Sequence, residues 1–236
     1  MSCLEKLPKL FLAAILTLVA ARSYISEAKT LHGGLVIVPS KRIPAEAMKR
    51  GQAMELHLVT PDTLYLYIEQ DNGRSVAVFD VSDPHKIKFK KLVEVDAPAP
   101  FDFVQSVGQY TLLIRYRGGM GVALIDLSKP QLPHLKDINA PATESYIIPV
   151  GADRLGDSTI ASNAPASSIP QDYEITDPSG LQPAMIVNGV VQQLIDEGNG
   201  TIYLLGANGL TIVRNVKSER KWAASGPVWT NTIDDD

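Results

Sequence analysis

The chain has 236 residues, 45% of them apolar and 20% charged, enough to bury one substantial core. Its formal net charge of −4 and lack of a basic cluster argue against nucleic acid or an anionic lipid surface as a partner. A single cysteine excludes an intrachain disulfide.

Residues 1–28 have the layout of a secretory signal peptide. Lys6 and Lys9 make a positive start, and residues 10–21 (LFLAAILTLVAA) form an uncharged apolar run. The small-residue patterns ending at Ala21 and Ala28 then offer cleavage sites. Twelve apolar residues fall short of the roughly 20 that span a bilayer, so no stable membrane anchor remains after cleavage. The alternative is an uncleaved interfacial or buried helix. Cleavage after Ala28 leaves residues 29–236 as one domain of 208 residues without cysteine, its sole Cys3 having been removed.

Beyond the leader, residues 35–38 (LVIV) read as an isolated strand, and residues 44–55 alone have helical composition, with Pro44 at the first turn. The phrase VAVFDVSDP at 76–84 then returns at 122–130 as VALIDLSKP, with five of nine positions identical. In the first copy Val76 and Val78 point one way and Ala77, Phe79 and Val81 the other, before Ser82, Asp83 and Pro84 end the strand. Each copy follows two further strand-like runs, ELHLV (55–59) and LYLYIE (64–69), then FDFVQ (101–105) and TLLIRY (111–116). Asn72-Gly73 and Gly118-Gly119 supply the hairpin turns.

A later unit has strands at 190–195, 201–205 and 210–216. A degenerate one runs through 144–149, 158–161 and 173–175. Pro44, Pro84, Pro130 and Pro178 fall 40, 46 and 48 residues apart. A period in the forties with three or four short antiparallel strands per unit predicts an all-β, propeller-like fold of four to five blades. A β-sandwich would share the strands but not the period.

The segment LVIVP at 35–39 resembles the core of the LVIVD repeat, as do VAVFD (76–80), VALID (122–126) and, more loosely, LTIVR (210–214). The following D-x-S-x-P at Asp80/Ser82/Pro84 and Asp126/Ser128/Pro130, and APAPFD at 97–102, are similar to that family too. The likeness covers roughly residues 31–216 and departs at Pro39, where the repeat has aspartate. It implies a β-propeller of secreted or surface proteins and brings no reaction. In such folds the orphan strand closes the ring with strands from the other end. Here the tail at 222–233 is expected to supply them, leaving an imperfectly closed edge through which copies of the chain could pair.

Chemical motifs are few. Gly156-Asp157-Ser158 is similar to the nucleophile block of GDS-type esterases, yet His32, His57, His85 and His134 all precede Ser158, where such enzymes need a later base. Residues 118–121 and 206–209 read as hairpin turns rather than phosphate loops, and no zinc, calcium or paired-carboxylate spacing appears. Residues 163–168 (NAPASS) read as an exposed loop, and Asn199-Gly200-Thr201 as a turn that also matches a glycosylation acceptor. Aligning the units places Glu55, Asp102 and Gln192 at one inner-strand position. Such a ring either holds a cation or polar ligand at a channel mouth or anchors each unit's own turn.

These features predict an exported, non-enzymatic binding or scaffold module of the periplasm or cell surface, without cofactor, whose partner is another exported or surface protein. The alternatives are a polysaccharide hydrolase or lyase, which the 6% aromatic content disfavours, and a truncated repeat protein. N-terminal sequencing of protein from its native host is expected to find a start after Ala21 or Ala28. Cytoplasmic protein starting at Met1 would contradict export.

Overall fold

The computed structural model describes residues 29–31, 34–136, 169–176 and 183–225. Within them the chain is mostly β, in four antiparallel sheets, none of which closes on itself. The first sheet is a meander of β3 (Gly51–Thr60), β4 (Thr63–Gln70), β5 (Ser75–Asp80) and β6 (Lys88–Glu94). The second repeats it with β7 (Phe101–Ser106), β8 (Thr111–Tyr116), β9 (Val122–Asp126) and β10 (His134–Lys136). A hairpin of β11 (Gln171–Thr176) and β12 (Pro183–Val190) precedes the last sheet, β13 (Gln192–Asp196), β14 (Thr201–Gly206) and β15 (Gly209–Asn215).

That last sheet is completed from the other end of the chain. Strand β2 (Leu35–Val38) lies antiparallel to β15, with Ile37 opposite Val213, and β1 (Lys29–Thr30) lies outside it. The orphan strand thus pairs with the final unit itself and not, as expected from the sequence, with the tail. Residues 216–225 instead form helix α1 (Val216–Ser225). Its composition favours helix, and Asn215 Oδ1 accepts the N–H of Lys217 at 3.1 Å and Ser218 at 3.2 Å as an N-cap.

The helix expected over 44–55 is corrected as well. Ala45–Met48 make one 3-10 turn after Pro44, and β3 begins at Gly51. Glu55 therefore sits inside a strand, because pairing along the whole of β4 outweighs local helix preference. Gly51 marks the close approach: a Cβ there would stand 2.5 Å from Ile68 Cγ2.

The core lies between sheets. Leu64, Leu66, Ile68, Ala77 and Phe79 on one face of the first sheet pack against Tyr203, Leu205, Leu210 and Ile212 of the last. Its other face, with Tyr65, Tyr67, Val76 and Val78, packs against Phe101, Leu112, Ile114 and Ile125 of the second. The repeated phrase alternates as its sequence predicts, and the expected turn at Asn72-Gly73 has positive φ at both residues (58° and 89°). The degenerate unit is only partly visible: 173–175 fall in β11, while 144–149 and 158–161 lie outside the described residues.

The D-x-S motif has a physical reason. Asp80 Oδ1 accepts from the Ser82 N–H at 3.2 Å and hydroxyl at 2.8 Å, and Oδ2 lies 3.0 Å from Lys90 Nζ. Asp126 does the same with the Ser128 N–H at 2.7 Å and Lys136 Nζ at 2.6 Å, and these two hold its carboxyl well below the usual range. In both copies the lysine lies ten residues after the aspartate and ties the outer strand to the turn. Arg214 occupies the aspartate position of the last unit. It makes a buried bidentate pair with Glu219 of α1, at 2.8 and 2.7 Å, and His85 Nε2 of the first sheet lies 3.2 Å from the same carboxylate.

Phe79 and Ile125 are both essentially inaccessible, at 0% and 1% exposure, on corresponding faces of successive sheets. Phe79→Ala and Ile125→Ala should each cost about 2 to 5 kcal/mol, by similar amounts, in denaturant unfolding. A cost below about 0.5 kcal/mol for either would refute the shared register.

Candidate functional site: a buried polar stripe between the first two sheets

Period-two alternation in ELHLV and LYLYIE places Leu56, Leu58, Leu64, Leu66 and Ile68 on one face of the first sheet. Glu55, His57, Tyr65, Tyr67 and Glu69 share the other. Pairing sets Glu55 opposite Tyr67, His57 opposite Tyr65, and Ala53 opposite Glu69. An alternating antiparallel strand ordinarily turns its polar face to water. Here the second sheet covers that face, and none of the five side chains is more than 6% exposed.

The covering sheet satisfies most of them. Tyr67 donates its hydroxyl to the Pro130 carbonyl at 2.9 Å, and Gln131 Nε2 donates to Tyr65 Oη at 3.0 Å. His57 Nε2 stands 2.9 Å from the Gln109 carbonyl, and the Ser106 hydroxyl lies 3.5 Å from Nδ1. Burial lowers the His57 pKa against the opposing pull of that carbonyl. Burial, helped by Tyr65, pushes the Tyr67 hydroxyl above its ordinary value.

Glu69 is the exception. It is fully buried, and desolvation raises its pKa from 4.5 to about 7. The Gly73 and Gln52 amides and Arg117 oppose that rise, while Asp102 adds to it. Neither carboxylate oxygen reaches a donor at hydrogen-bond geometry. Arg117 is committed elsewhere. Its Nε and Nη2 bind Asp102 Oδ1 at 3.1 and 2.6 Å, and Nη1 and Nη2 bind the Gln52 side chain and carbonyl at 2.8 Å each. One guanidinium thus clamps the second sheet to the first.

The three residues aligned from sequence do not all stand at one level of the inner strands. Phe79, Ile125 and Val213 pair with Leu66, Leu112 and Ile202, and three positions further along stand Glu69, Arg115 and Leu205. Opposite these lie Ala53, Asp102 and Gln192. Asp102 and Gln192 therefore share a level, at which the first sheet has Ala53, and Glu55 lies two residues further along β3. The early start of β3 and a bulge between Phe103 and Gln105 conceal this register. The two level residues act differently: Asp102 anchors the turn of its own unit that Arg117 opens. Gln192 bridges to the neighbouring sheet, accepting the Met54 N–H at 2.6 Å and donating to the Met54 carbonyl at 2.9 Å.

The turns at 118–121 and 206–209 connect adjacent strands as expected. Asn199 is buried and accepts the Thr201 N–H at 2.9 Å, the behaviour of a turn residue rather than a glycan acceptor. Ser158 and residues 163–168 lie outside the described residues. Among the described residues no three His, Cys, Asp or Glu side chains gather to hold a metal ion. No described helix is long and apolar enough to cross a membrane. Comparison with protein-family models, curated proteins and solved structures finds no match.

The Glu69 shift has a definite sign. Its folded-state pKa is raised, so its contribution to stability is fully present below pH 4.5 and is lost as pH rises through about 7. Glu69→Gln should match wild type near pH 4 and exceed it by about 3 kcal/mol at pH 8. Urea unfolding at both values checks this, the difference between the two proteins cancelling the opposite contribution of His57. A constant difference across the range would contradict the assignment.

Proposed function

We propose that the protein is an exported binding or scaffold module built as a β-propeller, acting in the periplasm or at the cell surface. The observation that carries this reading is the two-sided burial of the first sheet, whose opposite faces pack on the last and second sheets. A sandwich sheet buries one face; a blade buries both. Inner strands β13, β3 and β7 neighbour one another in that order, and β2 completes the last sheet, as ring closure requires. The likeness to the LVIVD repeat agrees with this arrangement. Export is supported by the signal-peptide pattern, whose second cleavage site falls just before Lys29, the first residue of β1.

The carboxylates do not favour the polysaccharide-processing alternative. Asp102 is held by Arg117, and Glu55 and Glu69 are buried. Paired sugar-cleaving carboxylates must face an open cleft at a spacing of about 5 to 9.5 Å.

Cross-linking in intact cells of the native host, followed by purification of the protein, tests the reading. It is expected to recover a specific exported or surface protein from the envelope fraction. Recovery of the protein from the cytoplasm, bound to cytoplasmic partners, would overturn it.

A further inference from the structure

His57 and Ser106 are 49 residues apart and belong to different sheets. Stacking of the second sheet on the first brings them together. The Gln109 carbonyl, 2.9 Å from His57 Nε2, can only accept a hydrogen bond, so Nε2 carries the proton. Nδ1 then turns its lone pair toward the Ser106 hydroxyl at 3.5 Å. This is the order of parts that activates a serine: nucleophile, base, and a third group that fixes the base's tautomer.

We infer that Ser106 and His57 form a nucleophile–base pair that accepts acyl groups from activated esters, a chemistry beyond the proposed binding role. The two residues differ in environment as those roles demand. His57 is buried, which lowers its pKa and leaves the imidazole neutral at rest, with the Nδ1 lone pair available. Ser106, the last residue of β7, is exposed and open to a solvent-borne electrophile. The chain then turns at Gly108, at φ +70°, where an added Cβ would meet nothing within 4 Å. Val107 and Tyr110, 38% and 46% exposed, flank the turn with apolar surface suited to a small acyl or aryl group. The separation of 3.5 Å is that of a resting pair, which tightens when substrate arrives.

The reaction balances with water as its only co-reactant. Ser106 Oγ attacks the ester carbonyl carbon as its proton passes to His57 Nδ1. The bond to the leaving oxygen breaks, and that oxygen takes the proton from Nδ1 and departs as the alcohol. Water, deprotonated by the same nitrogen, attacks the acyl-serine. The acid is released and the Ser106 hydroxyl restored.

A fluorophosphonate probe applied to the full native chain tests the pair, because Ser106 attack on phosphorus expels fluoride and leaves a stable adduct. Peptide mapping should find Ser106 labelled at least about 100-fold faster than Ser128, an exposed serine without a histidine partner. His57→Gln, with its fold checked by circular dichroism, should bring Ser106 down to the rate of Ser128. Labelling of Ser106 no faster than Ser128 in the unaltered protein would overturn the inference without any variant. Rapid Ser106 labelling that survives in folded His57→Gln would overturn the role of the histidine.

Discussion

Strands β4 and β5 of the first sheet have no face to offer to water, and the rest of the described structure follows from that. Ala77 and Val78, adjacent in β5, are both fully buried and point into different cores. A sheet with two buried faces requires a neighbour on each side. The last sheet supplies one and the second sheet the other, so units distant in sequence are held together by the middle one. Burying about 25 cal/mol per Å² of apolar surface on both faces gives the stack its stability without a disulfide.

Polar groups make the stack specific. Gln192 reads the Met54 backbone across one interface, and Arg117 joins Asp102 to Gln52 across the other. These bonds form only when neighbouring inner strands stand at the correct level, so they select a register that apolar packing alone tolerates loosely. The Arg214–Glu219 pair, touched by His85, does the same at the helix end of the last sheet. Where the repeat writes an aspartate answered by a lysine from an outer strand, the final unit reverses both charges. Its outer strand comes from β2, and the answering charge comes from α1.

Much of this architecture is legible in the sequence because turn chemistry and period-two alternation are local. The D-x-S-x-P phrase marks where β5 and β9 end, and the alternation of VAVFD divides its side chains correctly between two cores. The final helix is not anticipated by that reading, which takes 210–216 as a strand and 222–233 as closing strands, although Asn215 caps it locally. The inner-strand alignment fails for a non-local reason: level is set by hydrogen-bond pairing with β4, β8 and β14, and a bulge at Val104 shifts it. The buried stripe is hidden more deeply. Glu55, His57 and Glu69 alternate with apolar residues as a solvent face would, and nothing local announces that Gln109, Pro130 and Gln131 meet His57, Tyr67 and Tyr65 on that face. The Ser106–His57 approach depends wholly on that cover.

Two-sided burial can be read directly by thiol reactivity, since the chain beginning at Lys29 contains no cysteine. Ala77→Cys and Val78→Cys change side-chain volume little and place probes in the two different cores. Both thiols should be unreactive in the native protein and become modified only at the rate of unfolding. Modification of either one at the rate of a free thiol, in a protein that remains folded, would mean that one face of the first sheet meets solvent and would contradict the stacked arrangement.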